Sequence, residues 1–256
     1  MTLKDKLRSR ELTIGSWITI ANPIVAEIMA QAGYDWLTLD LEHSAISISQ
    51  AQDMIRVIEL CGTTPLVRVG ENNATIIKRV MDAGAHGVIV PMVNSKTDAE
   101  KAVGAVNYPP SGMRGVGLAR AQKYGQDFEG YKEWNLRHSI LIVQVEHIEA
   151  VKNLEKILDV GGVDGFIIGP YDLSASLGRP GEFTHPEVIS ALDQVKTIAK
   201  ERNALSGFHV IPPDAESLLE KAREGYRFLA HSIDMLFLGN GVGNSLKSIK
   251  DRLNEL

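Results

Sequence analysis

The chain of 256 residues is 44% hydrophobic and 23% charged, enough apolar material for a sizeable core and unlike a disordered sequence. Its formal net charge of -5, with no Lys/Arg block, excludes the clustered positive charge that nucleic acid or an anionic membrane surface requires. A single cysteine, Cys61, excludes an internal disulfide and any site built from several thiolates.

Residues 1–11 are charged and contain no apolar stretch of signal-peptide length, and no later window of about 18 apolar residues could span a bilayer, so a cytoplasmic protein is expected. A first strand is read at 14–20. A helix follows over 23–32, with Asn22 as N-cap, Pro23 in the first turn and Gly33 as its stop. The same grammar then repeats: strand 36–40 and helix 49–60, strand 65–69 and helix 74–83, strand 87–91 and helix 96–106. Cys61 ends the apolar stretch of the second of these helices and reads as a buried structural thiol. Segment 107–138 breaks the rhythm. It carries Tyr108-Pro109-Pro110 and the glycine-rich run Gly112 to Gly117, and its length marks it as a functional loop.

Regularity returns with strand 140–146 and helix 149–159, strand 165–169, helix 186–202, strand 205–210, helix 214–224, strand 227–232 and helix 243–256. Eight strands alternate with helices, no Pro/Ser-rich linker divides them, and no strand has the polar look of an open sheet edge. A (β/α)8 barrel covering 1–256 as one domain is therefore expected. Gly239-Asn240-Gly241-Val242-Gly243, after the eighth strand, occupies the position of a phosphate-binding turn.

In such a barrel the reactive groups sit where strands end on the carboxyl-terminal face. Those points hold Asp40-Leu41-Glu42-His43, Arg68, Gln144-Val145-Glu146-His147 and Gly169-Pro170-Tyr171-Asp172. Glu146 and Asp172, with a bidentate oxo acid and waters, would complete the all-oxygen octahedron preferred by Mg2+ or Mn2+. Helix capping is the plainer role open to Asp172. His147 follows Glu146 directly, so it points elsewhere and is a poor ligand. Arg68 closes an apolar strand and needs an anionic partner: a substrate carboxylate, or one of the nearby acids. His43 is the one general base in the group. Asp82, near the end of a helix, reads from its position as solvated surface. No lysine stands at a strand end, which disfavours Schiff-base chemistry, and neither a dinucleotide-binding fingerprint nor a Walker loop is present, so no organic cofactor is expected.

Asp40-Leu41-Glu42-His43, Val67-Arg68, Val90-Pro91-Met92-Val93, Tyr108-Pro109-Pro110 with Arg114-Gly115-Val116-Gly117, Val143-Gln144-Val145-Glu146 and Gly169-Pro170-Tyr171-Asp172-Leu173-Ser174 together resemble the HpcH/HpaI family, in order and over nearly the whole chain. These are the metal-dependent class II pyruvate aldolases, of the 4-hydroxy-2-oxoheptanedioate and 2-keto-3-deoxy sugar-acid types, found in aromatic and sugar-acid catabolism. The resemblance implies reversible cleavage of 4-hydroxy-2-oxo acids to pyruvate and an aldehyde through a metal-stabilised enolate. It implies Glu146 and Asp172 as ligands of Mg2+, Mn2+ or Co2+, and Asp40 as an acid reaching the metal through water. It also implies Arg68 on the pyruvyl group, with Gln144, Gly169, Pro170, Tyr171 and Asp172 at substrate-contacting positions. His43 is then the base and Asp82 the acid that raises its basicity, against the surface reading above. A homohexamer, a trimer of dimers with the terminal helix exchanged between neighbours, is implied as well. Tyr171 stands where a smaller residue is common and would reshape the aldehyde side. The competing readings are an acyl-CoA lyase of the citrate-lyase type and a non-catalytic metal-binding barrel.

Overall fold

The computed structural model describes residues 1–255. In chain order the elements are α1 (Leu3–Arg8), β1 (Thr13–Ile18), α2 (Pro23–Gln31), β2 (Trp36–Asp40), α3 (Ile48–Leu60), β3 (Thr64–Arg68), α4 (Ala74–Asp82), β4 (Gly87–Val90) and α5 (Lys96–Val106). They continue with a 3-10 segment (Arg120–Gly125), α6 (Phe128–His138), β5 (Ile140–Val145), α7 (Ile148–Leu158), β6 (Gly165–Ile168), α8 (Pro170–Ser176), α9 (Pro186–Glu201), β7 (Ser206–Val210), α10 (Ala215–Arg223), β8 (Phe228–Ile233) and α11 (Asp234–Leu253). The eight strands are parallel and close in sequence order, β8 pairing back onto β1. All eight expected strands are present, each within two residues of its predicted limits.

Alternation along the strands divides the core in two. One set of side chains, including Leu37, Leu39, Val67, Val88 and Val143, packs outward against the helices. The other, including Trp17, Trp36, Leu66, Ile89, Ile142, Ile167 and Phe228, fills the barrel. A period of two therefore fixes which residue at each strand end faces inward. Counting on from Trp36, Leu66 and Ile142 gives Asp40, Arg68, and Gln144 with Glu146. The amino-terminal end is closed by α1, whose Leu3 and Leu7 join the interior cluster while Lys4 donates to the Ser139 carbonyl and to Asp164.

Segment 107–138 is not a loop throughout. Its second half forms α6, and its position differs from that expected of a site loop. Because α5 runs back antiparallel to the strands, the segment lies at the amino-terminal end, and none of its residues lines the cavity described below. Arg114 anchors it. Its buried guanidinium lies over Tyr108 (4.6 Å) and near Tyr131 (5.3 Å), and donates to the Tyr131 hydroxyl, Asn135 Oδ1 and Asp82.

The chain end also departs from expectation. α11 begins at Asp234, so Gly239 to Gly243 lie inside a helix and their N–H groups serve the helix rather than a phosphate turn. Leu256, the last residue of the expected helix, lies outside the described residues. Along α11, Met235, Leu238, Val242, Leu246, Ile249 and Leu253 are exposed at helical spacing, an apolar stripe with no cover in the single chain. Cys61 caps α3 and is half-buried rather than buried. Among the described residues no helix is long and apolar enough to cross a membrane.

Gly15 faces the interior opposite the Trp36 ring, which stacks on Phe228 at 4.1 Å; an added Cβ would fall 2.0 Å from the indole. With Trp36 fully enclosed and unable to give way, Gly15→Ala is expected to lower stability by about 2 kcal/mol, read as a lower urea midpoint with unchanged slope.

Candidate active site

The carboxyl-terminal mouth of the barrel holds a cavity of about 240 Å³. Asp40 and Arg68 stand at the same register on adjacent strands. Arg68 accordingly forks onto Asp40, Nε to Oδ1 at 2.9 Å and Nη2 to Oδ2 at 2.6 Å, and its Nη1 lies 3.1 Å from Glu42 Oε2. The guanidinium also lies 4.7 Å over the Trp17 ring. Burial alone would raise the Asp40 carboxyl, but Arg68 and the Glu42 and His43 N–H donors together outweigh it and hold Asp40 below the usual carboxylate range.

Across the mouth, Gln144 and Glu146 share one face of β5 and its extension, and Gln144 Nε2 donates to Glu146 Oε2. The other Glu146 oxygen accepts from the Met92 N–H at 2.7 Å. Met92 takes a positive φ of 52° to present that donor, an uncommon conformation for a side chain of its size. Gly169 ends β6 so close to this pair that a Cβ would meet the Glu146 side chain at 3.1 Å and Gln144 at 3.2 Å. α8 then lifts Tyr171 and Asp172 to the rim. Asp172 falls in the first turn of α8, whose N-cap is Gly169, so Asp172 is not the cap its sequence position allowed. His147 caps α7 instead of facing the cavity, as its parity requires.

Four acids thus crowd one arginine. Burial, then the like charges of Glu42 and Asp172, push Glu146 up to about 7 despite the Met92 N–H. Glu42 is raised too, by burial first, with Arg68 opposing and Asp40 and Asp172 adding to it. Buried Gln144 Oε1 has no hydrogen-bond partner, and Glu42 Oε2 has only its ion pair with Arg68. Surplus negative charge with an unpaired oxygen suits a hard divalent cation, which takes oxygen donors. No group of three or more His, Cys, Asp or Glu side chains is arranged as a complete protein cage among the described residues. Glu146 and Asp172 would hold such an ion only together with donors from a ligand or water. No lysine lines the cavity among the described residues.

Asp40, Arg68, Gln144, Gly169, Pro170, Tyr171, Asp172 and His43 border the cavity; Glu146, expected with them, lies behind the lining with both oxygens engaged by the Met92 N–H and Gln144 Nε2. His43 is largely exposed, with Nε2 3.8 Å from Glu42 Oε2. Asp82 is not brought to it. α4 carries Asp82 back to the amino-terminal end, where its carboxylate is engaged by Arg114 and approached by Gln122 Nε2 at 3.4 Å. Neither the surface reading nor a contact with His43 in the same chain describes it. Sequence reasoning assigned no role to Glu42, Met92 or His209. Glu42 was visible inside its motif and His209 by its inward parity on β7, whereas the Met92 contact depends on a backbone angle that no residue pattern reveals.

The family model for HpcH/HpaI aldolase/citrate lyase matches residues 13–236. The hydroxypyruvate/pyruvate aldolase of Sagittula stellata is 41% identical over 90% of this chain and 90% of its own. The 2-keto-3-deoxy-L-rhamnonate aldolase of Escherichia coli K12 is 36% identical over 98% of this chain and 94% of its own. The crystal structure of an HpcH/HpaI aldolase/citrate lyase family protein from Burkholderia cenocepacia J2315 superposes with a TM-score of 0.91 at 32% identity, covering 97% of this chain and 98% of that one. With the family model matched over most of the chain and relatives above 30% identity covered nearly end to end, this chain belongs to the HpcH/HpaI aldolase/citrate lyase family.

Proposed function

We propose that the protein is a divalent-metal-dependent aldolase that reversibly cleaves 4-hydroxy-2-oxo acids to pyruvate and an aldehyde. The observation that carries this reading is the charge pattern at the barrel mouth: Asp40 and Asp172 in the cavity lining, with Glu42 and Glu146 buried behind it, against one arginine and no lining lysine. Hydroxypyruvate, pyruvate and 2-keto-3-deoxy-L-rhamnonate, the compounds in the relatives' names, share the 2-oxo acid group that such a site would chelate.

Glu146 and Asp172 would hold Mg2+, Mn2+ or Co2+, with Asp40 reaching the ion through water, and the all-oxygen set disfavours zinc. The ion supplies Lewis-acid polarisation of the keto oxygen when bound. Arg68 pairs with the oxygen that becomes anionic, and Asp40 holds its guanidinium in place. In cleavage His43 takes the C4 hydroxyl proton, the C3–C4 bond breaks, and its electron pair moves through C3 and C2 onto the oxygen facing Arg68. A proton then returns to C3 to give pyruvate. Gln144 and the backbone from Gly169 to Asp172 border the bound oxo acid, and Tyr171, packed edge-on to Phe183 at 4.9 Å, narrows the aldehyde side.

Asp82 can act on His43 only across a subunit boundary, because its own chain holds it at the far end of the barrel. The α11 stripe supplies a surface for that assembly, and we take the oligomer to be a hexamer built on exchange of this helix.

Metal-loaded protein should release pyruvate from a panel of 4-hydroxy-2-oxo acids, and chelation should abolish it; equal rates in EDTA would end the proposal. Arg68→Ala is expected to lower kcat/KM by roughly 10²–10³-fold and His43→Ala by roughly 10²–10⁴-fold. Ligation requires the ionised Glu146, which sits at about 7. Mn2+ affinity measured by calorimetry should therefore be level above that value and fall as pH drops below it, and Glu146→Gln should remove most binding at every pH. Leu246→Lys, on the α11 stripe, should shift the sedimentation coefficient to a smaller species.

A further inference from the structure

The closed strand order divides the cavity wall into two arcs. On one side β2, β3 and β5, with α8 after β6, bring Asp40, Arg68, Gln144 and Asp172 to the lining. On the other side β7, β8 and β1 and the residues that follow them bring Ile211, Ile233, Met235 and Trp17. Among the described residues this second arc lends the cavity no Asp, Glu, Lys or Arg side chain. Its polar groups are engaged within the protein. Thr19 donates its hydroxyl to Asp234 at 2.7 Å, and the buried Asp234 carboxylate also accepts from the Thr19, Ile20 and Met235 N–H groups. His209 Nε2 faces the Ser232 carbonyl at 3.2 Å, and the Ser232 hydroxyl donates to the Ile211 carbonyl. The Trp17 indole nitrogen is sealed from the cavity. An occupant of this arc therefore meets apolar surface and no free hydrogen-bond donor.

On the aldolase reading above, on which this inference rests, the 2-oxo acid occupies the charged arc, where Arg68 and the acids are. The second reactant is left the rest of the cavity, which is the apolar arc. A carboxylate placed there would find no cation, and a hydroxyl would give up water for a wall that donates nothing to it. A methylene gains by leaving water. We propose that the preferred acceptor is a short, unsubstituted aliphatic aldehyde, and that Ile211, Ile233 and Met235 determine this preference by packing on its alkyl chain. The aldol step is the one already given, run in reverse: C3 of pyruvate loses a proton and bonds to the aldehyde carbon, and the aldehyde oxygen gains a proton. The product is a 4-hydroxy-2-oxo acid with an alkyl tail.

The test measures addition of saturating pyruvate to matched aldehydes by the manganese-loaded enzyme. Propanal is set against lactaldehyde, which differs by one hydroxyl, and butanal against succinic semialdehyde, which ends in a carboxylate. Wild type should favour propanal by about tenfold in kcat/KM and butanal by more. From acetaldehyde through propanal to butanal, kcat/KM should rise by about fourfold per methylene. Ile211→Thr keeps the branch at Cβ and Met235→Gln keeps the side-chain length, and each should narrow the propanal-to-lactaldehyde ratio. A wild type that favours lactaldehyde or succinic semialdehyde, or that ignores chain length, overturns the proposal. So do variants in which both aldehydes weaken equally, since that marks residues that only support the fold. Exchange of the C3 protons of pyruvate in D2O, followed by NMR without aldehyde, separates the two readings. Exchange without addition to the aliphatic aldehydes overturns this inference alone, whereas neither exchange nor addition overturns the aldolase reading and this inference with it.

Discussion

An excess of negative charge around a single guanidinium organises the mouth of this barrel. Arg68 neutralises Asp40 by a two-point contact and leans toward Glu42, which leaves Glu146 and Asp172 without a cation of their own. In water such a cluster would cost little, but Glu146 is buried, and burial together with the neighbouring like charges raises its carboxyl to about 7. The same arrangement fits the role proposed for the arginine. Held on both sides, its guanidinium cannot swing away as charge develops on the substrate, and a donor already in place needs no reorganisation during the chemical step.

Supporting contacts are aimed at these few groups. The Met92 N–H and the Gln144 amide orient Glu146 from two directions, and the close approach of Gly169 gives this pair a rigid wall. Below them, Trp17, Trp36 and Phe228 fill the barrel, so the site rests on a packed floor rather than on a water-filled pore. The floor also reaches the mouth, because Trp17 lies under Arg68 and beside His209.

The outer surface is organised by a different constraint. The helices return the chain to the amino-terminal end, where Arg114 is sealed between two tyrosines and takes the Asp82 carboxylate. α11 leaves the barrel with one face apolar and only Asp234 buried, its carboxylate accepting from the Thr19 and Ile20 backbone. An apolar face of that length is poorly suited to water.

By itself the sequence determined the eight-fold alternation, because the runs of β-branched residues and the capped helices between them are local patterns with their own periods. It also determined most of the site, since the position of a residue at the end of a strand, and its parity along that strand, follow from counting. Tertiary structure decided what counting does not reach. The start of α11 erased a glycine-rich turn that looked like an anion site, because backbone N–H groups inside a helix are already used. Asp82 went to the far end of the barrel because helices run opposite to strands, a three-dimensional fact that a motif match does not carry. The Met92 N–H met Glu146, and the His209 ring came against Trp17, through contacts between segments more than fifty residues apart, which neither propensity nor spacing encodes.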